Sequence, residues 1–299
     1  MASAIKTIRN VVVVFVVLVV AAVAAVYALS SMRMNKKYPL VEASPTAPKD
    51  LASIAEGHRL FVSRGCIDCH GTDLAGKTFI DDPAMGKYTG ANLTSGKGGA
   101  ASVMSDSDFT RAIRHGIAPD GRALIFMPST DFQGMSDEDV GKIIAYIRSA
   151  PPVDKPSTPE TVGPLARALF LAGKMPLLVT AELIDHDAKA PVQVTAAETV
   201  VYGRYLANGC TGCHGEHFSG GPIPGGPPDW PLAANITPTG IGSWSEADFI
   251  KSIRTGVRPD GSALKPPMPW QNLSKMTDVE LKALWMYLRT VPTRVAGNR

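Results

Sequence analysis

Apolar positions along the chain fall into two kinds of pattern. From Val11 to Leu29 every residue is apolar, a run of 19. As a helix rising about 1.5 Å per residue it spans roughly 28 Å, the depth of a bilayer's hydrocarbon core. Beyond it, apolar residues recur at helical spacing behind polar start signals. Val140, Ile143, Ile144 and Ile147 predict a helix over 137–149, and Leu281, Leu284, Trp285 and Leu288 predict one over 278–290. Each follows a hydroxyl residue with an acid three positions on (Ser136 with Asp139, Thr277 with Glu280), the pattern of a capping box. Met135 and Met276 then occupy the hydrophobic-staple position opposite Val140 and Leu281. Ser105 with Asp108 and Ser245 with Asp248 start two more helices, ending before Gly116 and Gly256, where glycine suits the left-handed residue that closes a helix. Earlier helices are expected over about 50–64 and 197–208, and a short one over 165–172, ahead of Gly173.

The second half repeats the first. Ala91-Asn92-Leu93-Thr94 returns as Ala234-Asn235-Ile236-Thr237, Ile113-Arg114-His115-Gly116 as Ile253-Arg254-Thr255-Gly256, and Pro119-Asp120-Gly121 as Pro259-Asp260-Gly261. The offset stays near 140, so two copies of a unit of about 100 residues follow the apolar run. The expected division is 1–34, 47–152, a connector over 153–195, and 196–295.

All 4 cysteines lie in one pattern used twice, Cys66-Ile67-Asp68-Cys69-His70 and Cys210-Thr211-Gly212-Cys213-His214. Thiols three positions apart on a helical turn can each add across one vinyl group of a haem, and the adjoining histidine then faces the iron; Cys-x-x-Cys-His reads as c-type haem attachment. A redox dithiol or half a zinc site shares the Cys-x-x-Cys spacing, but neither requires the histidine that follows in both copies. Two covalently bound haem c groups are therefore expected.

A six-coordinate haem needs a second ligand, commonly His or Met, and a true ligand should recur in both copies. His58, His115, His186 and His217 do not recur and are expected to be surface or loop residues. Two methionine pairs recur, Met127 with Met268 and Met135 with Met276; the second pair is taken up by the staple positions, whereas Met127 and Met268 each stand beside proline in an irregular stretch (Phe126-Met127-Pro128, Pro267-Met268-Pro269). The expected iron ligands are thus His70 with Met127, and His214 with Met268. Thioether ligation favours the ferrous state and, by filling the sixth position, suits electron carriage rather than chemistry at the iron.

Charge narrows the function further. The formal net charge is +3, yet Lys6, Arg9, Arg33, Lys36 and Lys37 all precede the first acid, Glu42; the rest of the chain holds 25 basic against 27 acidic residues. A nucleic-acid partner loses its electrostatic support. The flanking bases leave orientation open. The apolar run is expected to be an uncleaved single-pass anchor, with a cleaved signal peptide as the rival reading, and the following domains are expected to be exported.

From about residue 47 the chain resembles membrane-anchored dihaem c-type cytochromes, similar to the cytochrome subunits of bacterial periplasmic dehydrogenases for alcohols, aldehydes and sugars. The Ala-Asn-Ile-Thr stretch, Trp244-Ser245-Glu246-Ala247-Asp248-Phe249 and the Arg-x-Gly-x-x-Pro-Asp-Gly run carry the resemblance. Those subunits commonly carry three haems; this chain has two sites. The resemblance implies an all-α fold, an N-terminal transmembrane helix followed by two tandem cytochrome c-like domains. It implies an electron carrier in the bacterial inner membrane, with its domains in the periplasm and a dehydrogenase or respiratory complex as redox partner. Asn92, Asn235, Arg114, Arg254 and Trp244 are candidates for propionate neighbours, or else for loop and cap structure. Gly220 to Pro228 has no counterpart in the first copy and is expected to form a docking edge or a loop. The competing enzyme reading, a dihaem peroxidase or thiosulfate dehydrogenase, needs an open iron position, as does a haem-based gas sensor.

Overall fold

The computed structural model describes residues 2–40, 45–156 and 158–298; Glu42 and Ser157 of the connector lie outside them. Helix α1 (Ala2–Met34) carries the apolar run, with Val11 to Val20 exposed. It is long and apolar enough to cross a membrane. The first unit holds α2 (Leu51–Ser63), α3 (Cys66–His70), α4 (Asp106–His115) and α5 (Asp137–Ser149). The connector forms α6 (Pro164–Leu171) and a 3-10 segment, Pro176–Glu182. The second unit holds α7 (Val200–His214), the short α8 (Pro238–Ile241), α9 (Glu246–Thr255), the short α10 (Trp270–Leu273) and α11 (Asp278–Leu288).

The helix starts follow their polar signals. Ser105 and Ser245 each form a complete capping box with the acid at N3, and Gly116 and Gly256 close those helices at φ 62° and 71°. Met135 with Val140, and Met276 with Leu281, are buried in the core of their own unit, as the staple reading requires. Two boundaries differ. Helix α7 starts at Val200, behind Thr199, and runs unbroken through the cysteines. In the first unit the helix stops at Ser63, and Gly65 at φ 78° starts a separate turn. Gly57 and Gly203 are the equivalent crossing points (below). Two more residues separate Gly57 from Cys66 than separate Gly203 from Cys210, and Arg64 and Gly65 occupy the extra step.

In each unit the first helix crosses the last at a glycine. A Cβ on Gly57 would stand 1.9 Å from the Lys142 carbonyl oxygen, and one on Gly203 would stand 1.9 Å from that of Ala283. The backbones touch there, and the cores of Leu60, Phe61, Ile143 and Ile144, and of Leu206, Leu281 and Leu284, close around the crossings.

The fold is helix-rich, as expected, with one small sheet beside the helices. Strand β1 (Thr78–Asp82) pairs antiparallel with β2 (Gly86–Thr89), which pairs with β3 (Thr161–Val162) of the connector. The hairpin occupies the same stretch of the first unit, between the cysteine turn and Ala91, that the Gly-Pro run occupies in the second. That run therefore does have a positional counterpart. The connector is also more than a spacer. Phe170, Met175, Leu178 and Val179 form a third core with Met34 and Tyr38 from the base of α1 and with Tyr88, Ile117 and Ala123 of the first unit.

The two units meet through reciprocal contacts. Arg59 on α2 donates to both carboxylate oxygens of Glu280, the N3 acid of α11, at 2.7 and 3.0 Å. Tyr205 on α7, at the position equivalent to Arg59, donates to Asp139, the N3 acid of α5, and accepts from the Ser136 N–H at 3.0 Å. Tyr205 thus takes the place that Asp139 would fill in a complete capping box. A second pair repeats the relation. Asn272 donates to Asp68 in the first cysteine turn at 2.6 Å. Its equivalent, Asp131, lies against Gly212 in the second, where a Cβ would meet the carboxylate at 3.0 Å. Equivalent residues contact equivalent residues both ways, the signature of an isologous, two-fold interface.

Two outcomes are expected. Gly57→Ala and Gly203→Ala each overpack a backbone crossing, at a cost of about 3 kcal/mol; hydrogen exchange should show faster opening confined to α2 and α5 for the first, and to α7 and α11 for the second. Burial pushes the Asp131 carboxyl up to about 7, whereas an aspartate in an unfolded chain ionises near 4. Between about pH 4 and pH 7 the folded state binds the additional proton, so this group lowers stability as pH rises through that window. Asp131→Asn should flatten that part of the dependence of Tm on pH.

Candidate haem-binding sites

The second site is a cavity of about 520 Å³ behind the last turn of α7. Cys210, Cys213 and His214 line it together with Met268, against Ile236, Ile241, Phe249, Leu273, Leu284 and Leu288. The sequence folds this way because α7 places the thiols one turn apart and Gly215, at φ 79°, ends the helix directly after His214. The His214 Nδ1 lies 2.7 Å from the Ala234 carbonyl. A carbonyl accepts only, so Nδ1 carries the proton and Nε2 keeps the lone pair that binds a metal. The Ser252 hydroxyl lies on the same wall, buried and without a protein partner.

The first site is assembled from equivalent parts. Helix α3 carries Cys66, Cys69 and His70 on one turn, closed by Gly71 at φ 78°. His70 Nδ1 lies 2.9 Å from the Ala91 carbonyl. Burial holds its imidazole below the usual range, opposed by that hydrogen bond, so the ring is neutral and able to ligate. Cys66 and Met127 pack on the core of the unit. The Met127 loop is held from outside: Thr180 of the connector donates to the Met127 carbonyl at 2.6 Å, and the Phe126 N–H donates to the Leu178 carbonyl at 3.0 Å. Phe126 itself stands at φ 61°, a conformation its counterpart Pro267 cannot adopt.

Thiol electrostatics separate the rival chemistries. Burial pushes Cys66 up to about 12, Cys69 to about 11 and Cys210 to about 12. Redox Cys-x-x-Cys pairs work with depressed thiols, and a structural zinc takes four protein ligands. Among the described residues no three His, Cys, Asp or Glu side chains group as a metal site of that kind would need. Neutral thiols on an apolar wall, a neutral imidazole and a thioether are a donor set that fits haem c.

The remaining candidates divide. Asn92 and Asn235 are loop braces: each donates to a carbonyl beyond the last helix of its unit (Val153 and Arg294, both 2.8 Å) and accepts from the threonine two residues on. Arg114 bonds the Met135 carbonyl and Asp137, and Arg254 bonds the Met276 carbonyl and Asp278, so both tie the exit of the methionine loop to the last helix. Trp244 lines the second cavity, while Met104 packs in the first core. His115 corrects the surface-histidine expectation. It is 4% exposed, with its Nδ1 3.0 Å from that of His186.

The second cavity also draws on the first unit, through Ser63, Arg64, Gly65, Asp131 and Phe132. Comparing copies flags three of these residues, since Arg64-Gly65 is an insertion and Asp131 stands where the second copy has Asn272. Their destination depends on long-range packing.

The cytochrome c family profile matches residues 54–151 and 200–292. The chain is 30% identical to the fructose dehydrogenase cytochrome subunit of Gluconobacter japonicus, over 87% of this chain and 57% of that one. It is 26% identical to a dihaem cytochrome c-type protein of Cereibacter sphaeroides, over 80% and 86%. It is 27% identical to the cytochrome c subunit of a quinone-dependent alcohol dehydrogenase of Gluconobacter oxydans, over 83% and 57%. The chain thus spans little more than half of the two dehydrogenase subunits. With each profile match spanning one cysteine turn and the proline-flanked methionine, Met127 or Met268, the chain belongs to the cytochrome c family.

Proposed function

We propose that the chain is a dihaem electron carrier, held at the periplasmic face of the inner membrane by α1, that takes single electrons from a dehydrogenase partner and passes them to a membrane acceptor. The observation that carries this reading is the convergence of Cys210, Cys213, His214 and Met268 on one apolar cavity; in the first unit Cys66 and Met127 pack on one core, with Cys69 and His70 on the same turn as Cys66. Bound covalently, haem c supplies a one-electron iron couple. The residues of the chain supply the rest. Ala91 and Ala234 fix the imidazole tautomers. With haem bound, Met127 and Met268 would supply the second ligand, a thioether that favours the reduced state, and the apolar wall of the second cavity would exclude water.

The reciprocal interface sets each cysteine turn against the segment that follows the other unit's ligand methionine, which supports electron passage between the two sites. The third core joins the first unit to the base of α1, so the first site is the membrane-side one. The second has apolar side chains at its mouth, including Leu232, 69% exposed. We assign electron entry to the second site and exit to the first. Two of the three named relatives are dehydrogenase cytochrome subunits, which supports a sugar or alcohol dehydrogenase as donor.

The test is a haem assay with ligand variants. Two covalent haems per chain are expected, and Met127→Ala and Met268→Ala should each abolish the methionine–iron charge-transfer band of one haem and lower its reduction potential. One haem per chain, or variants with unaltered bands, would overturn the assignment. Turnover of peroxide or thiosulfate by the purified chain would favour the enzyme reading.

A further inference from the structure

Helix α6 has one polar side chain, and it is turned inward. Arg167 donates to the Ser30 and Ser31 hydroxyls of α1 at 2.8 and 2.9 Å and to the Val162 carbonyl at 3.0 Å, with its guanidinium 4.6 Å above the Tyr27 ring. Ala166 and Phe170 fill the third core, and Arg33 of α1 stacks 4.0 Å over Phe170 while pairing with Glu182. What α6 turns outward is Pro164, Leu165 and Ala168, with Ala172 just beyond its end; all are exposed and all are apolar. The outer face of a helix on a water-soluble surface is normally charged or polar. This one carries no charge.

Its depth is fixed by the same contacts. Tyr27 to Arg33 covers about 9 Å of helix axis and begins where the apolar run of α1 ends, at the level where an aromatic ring and a basic residue mark a bilayer boundary. We propose that α6 is a second membrane contact, its outward face lying in the interface of the same bilayer that α1 enters. The proposal rests on α1 being a membrane anchor. Continuity selects lipid as the occupant. The contacts that dock α6 to α1 hold Leu165 beside the emerging helix, and the exposed Lys36 and Lys37 just past the end of α1 and Lys174 just past the end of α6 suit headgroup phosphates. Two contacts instead of one would fix the rotation of the first unit on the membrane, as α1 alone cannot.

The experiment uses full-length holoprotein in nanodiscs, carrying a bimane label at Val16→Cys, Leu165→Cys or Val201→Cys in turn, with haem content checked for each. Emission is compared between lipids with acyl chains brominated and the same lipids without bromine, a ratio in which constant quenching by haem cancels. The labels at Val16 and Leu165 should each lose about half their emission, while that at Val201 on α7 is unchanged. Loss at Val16 with none at Leu165 would overturn the proposal and leave the anchor standing. No loss at Val16 would remove the anchor reading and the proposal with it. A Leu165 label that is unquenched by bromine but shifts to the blue when a dehydrogenase is added would give this face to a protein partner, which also overturns the proposal.

Discussion

Each unit depends on two helices touching backbone to backbone. At Gly57 and at Gly203 the first helix lies so close to the last that no side chain fits between them. The crossing fixes both walls of a site at once. In the second unit the crossing helix itself ends in the cysteines and histidine, in the first α2 leads into their turn through Arg64 and Gly65, and in both the last helix begins after the loop that carries the methionine. Arg114 and Arg254 lock the exit of that loop to the last helix, so the distance between imidazole and thioether follows from the crossing rather than from loop flexibility. A unit of this size buries little apolar surface by itself, and a macrocycle held between those walls would complete its core.

The interface between units reuses the ends of the same helices. The N3 acids of α5 and α11 already face free backbone N–H groups at a helix start, where negative charge is favoured. Tyr205 and Arg59 exploit that placement, each reaching the acid of the opposite unit. The Arg59–Glu280 pair is largely withdrawn from water, with the Glu280 side chain 3% exposed. Removing Arg59 would take the paired cation from the buried Glu280 carboxylate, whereas Arg59 keeps Glu56 as a second partner, so the contact specifies the docking register chiefly through Glu280.

Much of this was legible in the residues. Capping hydroxyls, the left-handed glycines after α4 and α9, the staple methionines and the duplicated Cys-x-x-Cys-His each act within one or two helical turns, the range over which sequence pattern and local energy coincide. Gly57 and Gly203 were not legible, because glycine within a helix reads locally as a cost; its value appears only when the crossing partner is known. Asp139 was legible as a capping acid, but its capture by Tyr205, 66 residues away, was not. The connector was the largest surprise. Its proline content suggests a spacer, yet Thr180 and Leu178 reach back to brace the Met127 loop, through contacts set by tertiary packing alone.

The two-way contacts between the repeats have a historical consequence. Arg59 on Glu280 and Tyr205 on Asp139 are the same positions used in opposite directions, as in a symmetric dimer of identical chains. An ancestral homodimer whose gene was duplicated and fused in frame would leave this arrangement. Fusion also releases the copies from identity. Asp68 could acquire its Asn272 partner while Gly212 stayed bare to admit Asp131, and a pair of once-equal redox centres could drift apart in potential without a second gene.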